Sequence, residues 1–285
     1  MTQPTVADVA KAPIMAFITA LLTVTIVVLP LGVSAQWPPY PTPNAPRAAS
    51  GQPDLEAPAL RTADGHPDLT GVWQYVRREG LPARRNGPFG QPLPGTDQFW
   101  DIATGMKEPI PFRASAAEVL RQRMADNSKD NPDAHCLPLG VMQLHTHPDP
   151  RRIVQTPRLV VMLWEANGSV RQIFTDGRPL PNNDPQPWYL GYSVGRWDGD
   201  TLVVETTGFR DDGWLDVFGT PLTSAAKVTE RFRRMNFGTL DIEVTVDDPK
   251  AYTKPWTVTI RQRIMLDTDL MEFICQENEK SSRYF

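Results

Sequence analysis

Beyond residue 150, short runs of alternating hydrophobic and polar residues are separated by tight turns. Asn167-Gly168 and Asp198-Gly199 lie between such runs, and these dipeptides are the strongest short pattern for a β-hairpin. The turns at 236–238 and 267–269 separate similar runs. The predicted strands, with a first one before residue 80, are 71–76, 158–164, 170–174, 192–197, 201–206, 229–233, 240–246, 256–260 and 270–275.

About nine strands at short intervals predict a mainly β chain. Strands that pair with their neighbours in sequence form an antiparallel meander, which closes as a barrel or folds as a sandwich. We expect the barrel. One short helix is also predicted, because Ser115 and Glu118 form a capping box and Ala117, Leu120 and Met124 then recur at helical spacing, up to about residue 126.

The N-terminal segment predicts export. An almost unbroken apolar run from Ile14 to Leu29 is followed by Val33-Ser34-Ala35, the small residues that precede a signal-peptide cleavage site. We therefore assign 1–35 to a signal peptide. The alternative is a retained membrane anchor, because the run approaches the roughly 18 residues that span a bilayer. Both interpretations place the rest of the chain outside the cytoplasm, in the periplasm or secreted, and after cleavage no membrane contact is expected.

A Pro-rich segment follows. Residues 36–60 have little apolar periodicity, which predicts an extended linker or an arm that wraps around the domain. The chain has 29 prolines, and they concentrate before residue 112. We therefore expect loops in the first third of the chain and a single β-barrel-like domain over 61–285.

The composition is that of a soluble globular protein, with 40% hydrophobic and 22% charged residues. The formal net charge is −4, and the basic clusters, such as Arg77-Arg78 and Arg84-Arg85, are short and far apart. Proteins that bind nucleic acid usually carry a basic patch or stripe. Nucleic acid is therefore not an expected partner, and the oligomeric state is left open.

Cys136 and Cys275 are the two cysteines of the chain. In an oxidising compartment an even count predicts one disulfide. The alternative is two unrelated buried thiols, since a sequence does not show proximity. Two cysteines are too few for a zinc or iron–sulfur site on their own, so we predict neither a metal nor a cofactor.

Four motifs carry a resemblance that covers nearly the whole chain after the signal peptide. They are the run 65–73 (GHPDLTGVW), Asp176-Gly177-Arg178, the run 199–206 (GDTLVVET) and the run 248–252 (DPKAY). With them the chain resembles a large family of uncharacterised exported bacterial proteins, which implies no particular activity. More loosely, Gly71-x-Trp73 on a first strand resembles the opening of lipocalin-like barrels, and this implies a barrel with a ligand cavity.

Several carboxylates are candidates for catalysis. Glu230 shares a strand face with Phe232, so an inward face makes it a buried carboxylate with a raised pKa, or one that is paired to an arginine. Asp176 and Glu205 are further acid–base candidates around one cavity, with Arg178 as the anion stabiliser. The alternative for each residue is a structural Glu–Arg pair between strands, or simple solvent exposure.

Histidines lie close together at His145 and His147. In an extended chain they project to the same side, a spacing that can chelate zinc or copper. Pro148 and Pro150 predict a loop here, and no third ligand is fixed by spacing. The preferred role is therefore a catalytic base, His147, because an unperturbed histidine titrates near neutrality.

A serine motif also has to be considered. Gly191-x-Ser193-x-Gly195 has the letters of a nucleophile elbow, which needs a strand, the serine turn and then a helix. Here a second strand is predicted after the Asp198-Gly199 turn. The pattern therefore does not favour a serine hydrolase.

Four of the eight tryptophans lie in predicted strands, where aromatic residues usually form core and cross-strand contacts. Trp188, Tyr189 and Trp214 lie in loops instead, where they either surround the opening of a ligand site or cap one end of the barrel. Tyr252, from the fourth motif, completes the predicted ligand-binding set.

The sequence thus predicts an exported β-barrel that binds a small molecule in a cavity lined by aromatic and charged residues. The alternative is an extracytoplasmic enzyme of the isomerase, lyase or hydrolase type, which does acid–base chemistry on a small molecule in that cavity. A structural envelope protein is a third, less favoured hypothesis.

Overall fold

The structure is a computed structural model that describes residues 41–77, 97–181 and 186–275. These residues belong to one compact unit, Tyr40–Phe285. The predicted signal peptide, 1–35, and the first residues of the predicted arm lie outside the described residues.

The regular elements account for most of the chain beyond residue 150. The strands are β1 Gly71–Val76, β2 Arg151–Gln155, β3 Leu159–Trp164, β4 Val170–Phe174, β5 Tyr192–Asp198, β6 Thr201–Thr207, β7 Gly213–Trp214, β8 Pro221–Leu222, β9 Lys227–Arg234, β10 Thr239–Asp247 and β11 Trp256–Met265. The α-helices are α1 Ala114–Ala125 and α2 Val141–Thr146, and short 3₁₀ turns cover Pro132–His135 and Ala166–Gly168.

Nine of the strands in the described part of the chain form a closed barrel. Their order is β1, β11, β10, β9, β6, β5, β4, β3 and β2, and β2 pairs with β1 to complete the ring. The prediction of a mainly β chain with a closed barrel is therefore confirmed. Strands β7 and β8 form a separate two-stranded sheet in the connection between β6 and β9.

The barrel differs from a simple meander at one pair. Strand β4 runs parallel to β5, with Ile173 opposite Ser193, whereas the other barrel pairs are antiparallel. Parallel strands cannot be joined by a tight hairpin turn, so β4 and β5 do not form a hairpin. Up-and-down barrels of the lipocalin type have eight antiparallel strands, so the described barrel differs from them in strand number and in this parallel pair.

The predicted strand at 270–275 is wrong. This segment has no strand structure, and β11 extends to Met265 with β10 on one side and β1 on the other. Because both edges of β11 are occupied, no hairpin partner can add to it after the 267–269 turn. Strand β2, which begins directly after Pro148 and Pro150, was not predicted from the sequence.

The predicted helix is confirmed as α1, although the capping box is not formed. The N-cap residue is Arg113, which makes no side-chain capping hydrogen bond. Helix α2 was not predicted, since only six residues separate Gly140 from His147. All six are buried, which shows that tertiary packing rather than local sequence stabilises this helix.

The barrel interior is filled with side chains. The inward-facing residues of β3, β6, β9, β10 and β11 are at most 7% exposed. Most are aliphatic or aromatic, including Met162, Val204 and Ile260, and the interior also holds a small set of polar residues. The centre of the barrel is therefore a packed core among the described strands, as in small barrels generally. The ligand cavity implied by the resemblance to lipocalin-like barrels does not lie inside the described barrel.

The described part of the arm lies against the barrel. The backbone carbonyls of Leu55 and Ala57 accept hydrogen bonds from the N–H groups of Gly238 (2.8 Å) and Phe237 (2.7 Å). Further along, the His66 ring stacks on Trp197 with 4.4 Å between ring centroids. The arm thus covers the 235–239 turn, as a wrapping segment is expected to do.

The predicted disulfide between Cys136 and Cys275 is confirmed. It links residues 139 positions apart and ties the last described residue to the segment after the 3₁₀ turn Pro132–His135.

Candidate functional site

A buried ion pair lies at the centre of the barrel. Glu230 points inward from β9, on the same face as Val228 and Phe232, and Arg171 points inward from β4. Arg171 Nη1 donates to Glu230 Oε1 at 2.9 Å, and Nη2 donates to Oε2. Both side chains are at most 1% exposed, so the pair is isolated from solvent.

Three further polar residues complete the network. His145 Nε2, from α2, donates to Glu230 Oε1 at 2.7 Å. Arg171 Nε donates to Ser193 Oγ on β5 at 3.1 Å, and its Nη2 donates to Thr206 Oγ1 on β6 at 2.9 Å. The central network therefore joins β4, β5, β6 and β9 to α2.

The electrostatics of the central network fix its protonation. Burial alone raises the pKa of Glu230, but the charge of Arg171 and the hydrogen bonds from Arg171 and His145 outweigh it and lower the pKa to about 2. Burial lowers the pKa of His145, and the opposing effect of Glu230 does not cancel it. At neutral pH the network thus contains an ionised Glu230, a charged Arg171 and a neutral His145.

The contacts of Glu230 match the structural alternative, a Glu–Arg pair that braces strands. A general base works best when its pKa lies near the operating pH. The pKa of Glu230, about 2, lies far below neutrality. Its catalytic role stays a prediction. Arg171 was missed, although the alternation of β4 places it on the inward face with Ile173, and an inward cation is the partner that an inward carboxylate needs.

A second buried contact set holds the end of α2. Arg151 Nη1 donates to the carbonyl oxygen of His145 at 2.9 Å, and Nη2 donates to that of His147 at 2.9 Å. Gln262 Nε2 also donates to the His145 carbonyl, at 2.8 Å. These inward residues of β2 and β11 therefore position the histidine that reaches Glu230.

His147 lies apart from the central network. It follows the last residue of α2, and its ring nitrogens are 3.7 Å from Asp133 and 3.4 Å from Asp149. Because His145 is helical, the expected extended arrangement of His145 and His147 is wrong. Within the described ranges no group of three or more His, Cys, Asp or Glu residues is arranged to hold a metal ion.

The other predicted catalytic residues lie in separate contacts. Asp176 and Arg178 form a surface ion pair at 2.6 Å, and the Arg178 guanidinium lies 3.9 Å from the Phe174 ring centroid. Arg178 lowers the pKa of Asp176 through hydrogen bonds and charge. Glu205 is partly exposed and pairs with Lys227 on the neighbouring strand. The structure brings Asp176 and Arg178 together, but it groups neither with Glu205, Glu230 or His147, and their catalytic roles stay predictions.

Ser193 lies within β5, and β6 follows after the turn at Gly199. Its hydroxyl group is engaged with Arg171 and, at 3.0 Å, with Thr206. The strand context expected from the sequence is therefore confirmed, and it is not that of a nucleophile elbow.

Of the four aromatic residues predicted to bind a ligand, two line a common cavity and two do not. Trp188 is 51% exposed and lies near Tyr192, whereas Tyr252 is buried and donates its hydroxyl hydrogen to the Pro221 carbonyl. Tyr189 and Trp214 line one cavity of about 320 Å³. We call this the Trp214 cavity. Its other lining residues are Arg123, Asp130, Pro132, Leu137, Gly140, Phe209, Arg210, Asp212, Gly213 and Leu222.

Two arginines stack on the aromatic residues of the Trp214 cavity. Arg123, from the last turn of α1, lies 4.5 Å from the Trp214 ring centroid, and Arg210 lies 4.7 Å from that of Tyr189. Gly219 permits the first contact, because a Cβ atom there would lie 2.5 Å from Arg123 Cδ and 2.9 Å from Trp214 Cζ3. The cavity thus combines aromatic faces, apolar walls and cations, as many small-molecule sites do.

A larger groove of about 610 Å³ lies between the arm and strands β1, β2 and β11. Its charged residues already have partners. Arg152 pairs with Asp269, and Arg234 donates to the carbonyl oxygens of Asp68 and Phe237. We call it the arm groove.

The fold defines this chain as a closed β-barrel protein with one disulfide, between Cys136 and Cys275. No protein-family model matches the chain, and a comparison with curated proteins gives no significant match. The resemblance to exported bacterial proteins therefore stays a prediction. Among the described residues, neither helix has the length and apolar character needed to cross a bilayer.

Proposed function

We propose that this protein is exported and binds a small molecule in the Trp214 cavity. The observation that carries the proposal is the convergence of Tyr189 and Trp214, both expected to contact a ligand, on one cavity that also contains Arg123 and Arg210. Its volume of about 320 Å³ lies at the lower end of the range for ligand sites.

The position of the ligand follows from the packing. Because the barrel interior is filled by side chains, a molecule of any size is accommodated outside it. The Trp214 cavity is favoured over the arm groove because Tyr189 and Trp214 line it, whereas none of the aromatic residues expected to contact a ligand lines the groove.

Export is supported by the disulfide between Cys136 and Cys275, since such bonds persist mainly in oxidising compartments. The alternative function, an extracytoplasmic acid–base enzyme, stays a hypothesis. The residues predicted for its chemistry lie in separate contacts, so no geometric observation favours it.

The test is native mass spectrometry of the protein purified from the periplasm of a bacterial host. We expect a chain that starts at Gln36 and carries a bound small molecule. Tyr189→Ala should lower ligand occupancy several-fold, whereas Trp188→Ala, at the exposed neighbouring ring, should retain it. An apo mass, together with no thermal stabilisation by any member of a metabolite library, would contradict the proposal.

A further inference from the structure

Arg123 has an unusual environment for a surface arginine. It is half-buried, and its Nη1 donates to the carbonyl oxygens of Gly213 (3.2 Å) and Gly219 (2.9 Å). Its Nη2 makes a longer contact of 3.4 Å to the carbonyl oxygen of Asp212. All three acceptors are neutral, so these contacts position the guanidinium without neutralising its charge.

The carboxylates that line the Trp214 cavity already have other partners. Asp130 pairs with Lys129 at 2.7 Å, and Asp212 pairs with Arg210 at 3.1 Å. Among the residues that the structure describes, no carboxylate forms an ion pair with Arg123 within 4.0 Å. Two arginines and two aspartates line the cavity, and Arg123 is the one of these four residues that has no ion pair among the described residues.

The buried Asp216 carboxylate does not form an ion pair with Arg123. The oxygens of Asp216 accept hydrogen bonds from the backbone N–H groups of Ile102, Gly219 and Thr220, each at 3.0 Å, and from the Thr220 hydroxyl group at 2.7 Å. Burial lowers the pKa of Arg123, with the charges of Asp212 and Asp216 acting in the opposite direction. A partly desolvated cation without a contacting anion is costly, and an anionic ligand would relieve that cost.

The geometry of the guanidinium favours a carboxylate. An arginine has five N–H donors, and the three carbonyl contacts use both hydrogens of Nη1 and one of Nη2. The Nε–H and the second Nη2–H have no partner among the described residues. Two adjacent donors of this kind match the two oxygens of a carboxylate.

The remaining walls of the Trp214 cavity favour an apolar ligand body. Its apolar lining residues are Pro132, Leu137, Phe209, Trp214 and Leu222. An apolar ligand body would lie against these walls while its carboxylate reaches Arg123.

We propose that the Trp214 cavity binds a small organic monoanion, a carboxylate on an apolar body, through bidentate contacts with Arg123. This inference rests on the proposed function and specifies the class of ligand. Arg123 then acts as the anion-recognising residue, and the neutral or cationic analogue of the same body binds more weakly.

The experiment uses three probes of one shape: 2-naphthoate, 2-naphthamide and 2-naphthylmethylamine. Isothermal titration of the mature protein should give at least tenfold tighter binding for the naphthoate than for the amide, with the amine weakest. Arg123→Met should abolish this preference. Arg123→Lys should retain part of it, because a lysine keeps the positive charge but lacks the two parallel N–H donors of the guanidinium. Arg121→Met on the exposed side of the same helix is the matched control and should leave all three affinities unchanged.

A measurement on the wild-type protein keeps the test independent of how the variants fold. In two-dimensional NMR, naphthoate should shift the indole N–H resonance of Trp214, assigned with Trp214→Phe, and should leave that of Trp73 in place. Equal binding of the three probes, or shifts at Val72 and Val154 in the arm groove, would overturn the anion inference while leaving small-molecule binding intact. If none of the three probes binds, the anion inference is also wrong. The proposed function is then tested separately by native mass spectrometry.

Discussion

Arg171 and Glu230 meet in the centre of the barrel although β4 and β9 are not adjacent strands. Two strands, β5 and β6, lie between them, and Arg171 donates to Ser193 and Thr206 as it crosses these strands. The pair therefore acts as a cross-barrel tie in addition to the backbone ladders. Its partners are buried, so the energetic consequence of breaking it is governed by desolvation.

Glu230→Gln should strongly destabilise the protein. The substitution leaves the charge of Arg171 buried without a counter-ion, a change that typically costs about 3–5 kcal/mol. Urea denaturation of the mature protein, followed by tryptophan fluorescence, measures the loss in free energy of unfolding.

The control for that prediction is Glu205→Gln. Glu205 also pairs with a cation, Lys227, but it lies on the partly exposed face of β6. Exposed pairs are worth about 0–1 kcal/mol, so the loss should be small. Replacing Arg171 and Glu230 together by methionine should recover much of the stability lost in Glu230→Gln. Similar losses for Glu205→Gln and Glu230→Gln would disprove the cross-barrel tie.

The strands could be predicted because their determinants are local. The bounds of β1 and β4 agree with the sequence prediction, since alternation and turn residues specify both. The prediction of a strand at 270–275 was wrong for a non-local reason, because β1 and β10 already pair with both edges of β11. The parallel pairing of β4 with β5 likewise depends on the path of a connection that has no hairpin turn.

The candidate sites were predictable to different extents. The parity of Glu230 with Phe232 indicated a buried carboxylate, but its partner His145 belongs to a helix that tertiary contacts stabilise. Tyr189 and Trp214 were expected in loops as candidate ligand residues. The structure places both at one cavity, with Trp214 in the short strand β7, and their ligand contacts stay a prediction. Arg123 could not be identified as a candidate, because its position is set by carbonyl groups about ninety residues away in the chain.

Stability should fall in acid through Glu230. Its folded pKa, about 2, is below the ordinary value of 4.5, so its contribution is fully present above about pH 4.5 and is lost as the pH falls toward 2. The difference between these two pKa values corresponds to a loss of roughly 3 kcal/mol in the free energy of unfolding. The pKa of His145 is lowered as well, which adds a loss of the same sign below about pH 6.5.

Urea midpoints at pH 7, 5, 4, 3 and 2 measure this dependence. Other carboxylates also titrate in acid, so the informative quantity is the difference between wild type and Glu230→Gln. That difference should narrow as the pH falls from 4.5 to 2. A constant difference across the range would exclude Glu230 as the group that titrates.

Reduction of the Cys136–Cys275 disulfide should also lower stability. The bond closes a loop with a sequence separation of 139, and removing a bond of this kind typically costs about 2–5 kcal/mol. Thermal unfolding with and without dithiothreitol measures the loss. The Cys136→Ser/Cys275→Ser variant should match the reduced protein and show no response to dithiothreitol, whereas a response would mean that the reductant acts elsewhere.

Gly219→Ala should perturb the Trp214 cavity as well as the backbone. Gly219 has a φ of +95°, and the added methyl group would lie 2.5 Å from Arg123 Cδ and 2.9 Å from the Trp214 ring. The control is Gly199→Ala, because Gly199 also has a positive φ, +57°, but has no atom within 4 Å of the added carbon. Both substitutions incur a left-handed backbone cost of about 1–2 kcal/mol. Gly219→Ala alone should in addition displace Arg123 from Trp214, which weakens naphthoate binding and shifts the Trp214 indole resonance in the ligand-free protein. Equal effects of the two substitutions on stability and binding would contradict this prediction. Gly219 would then be needed only for its positive φ, and the stacked position of Arg123 would not depend on it.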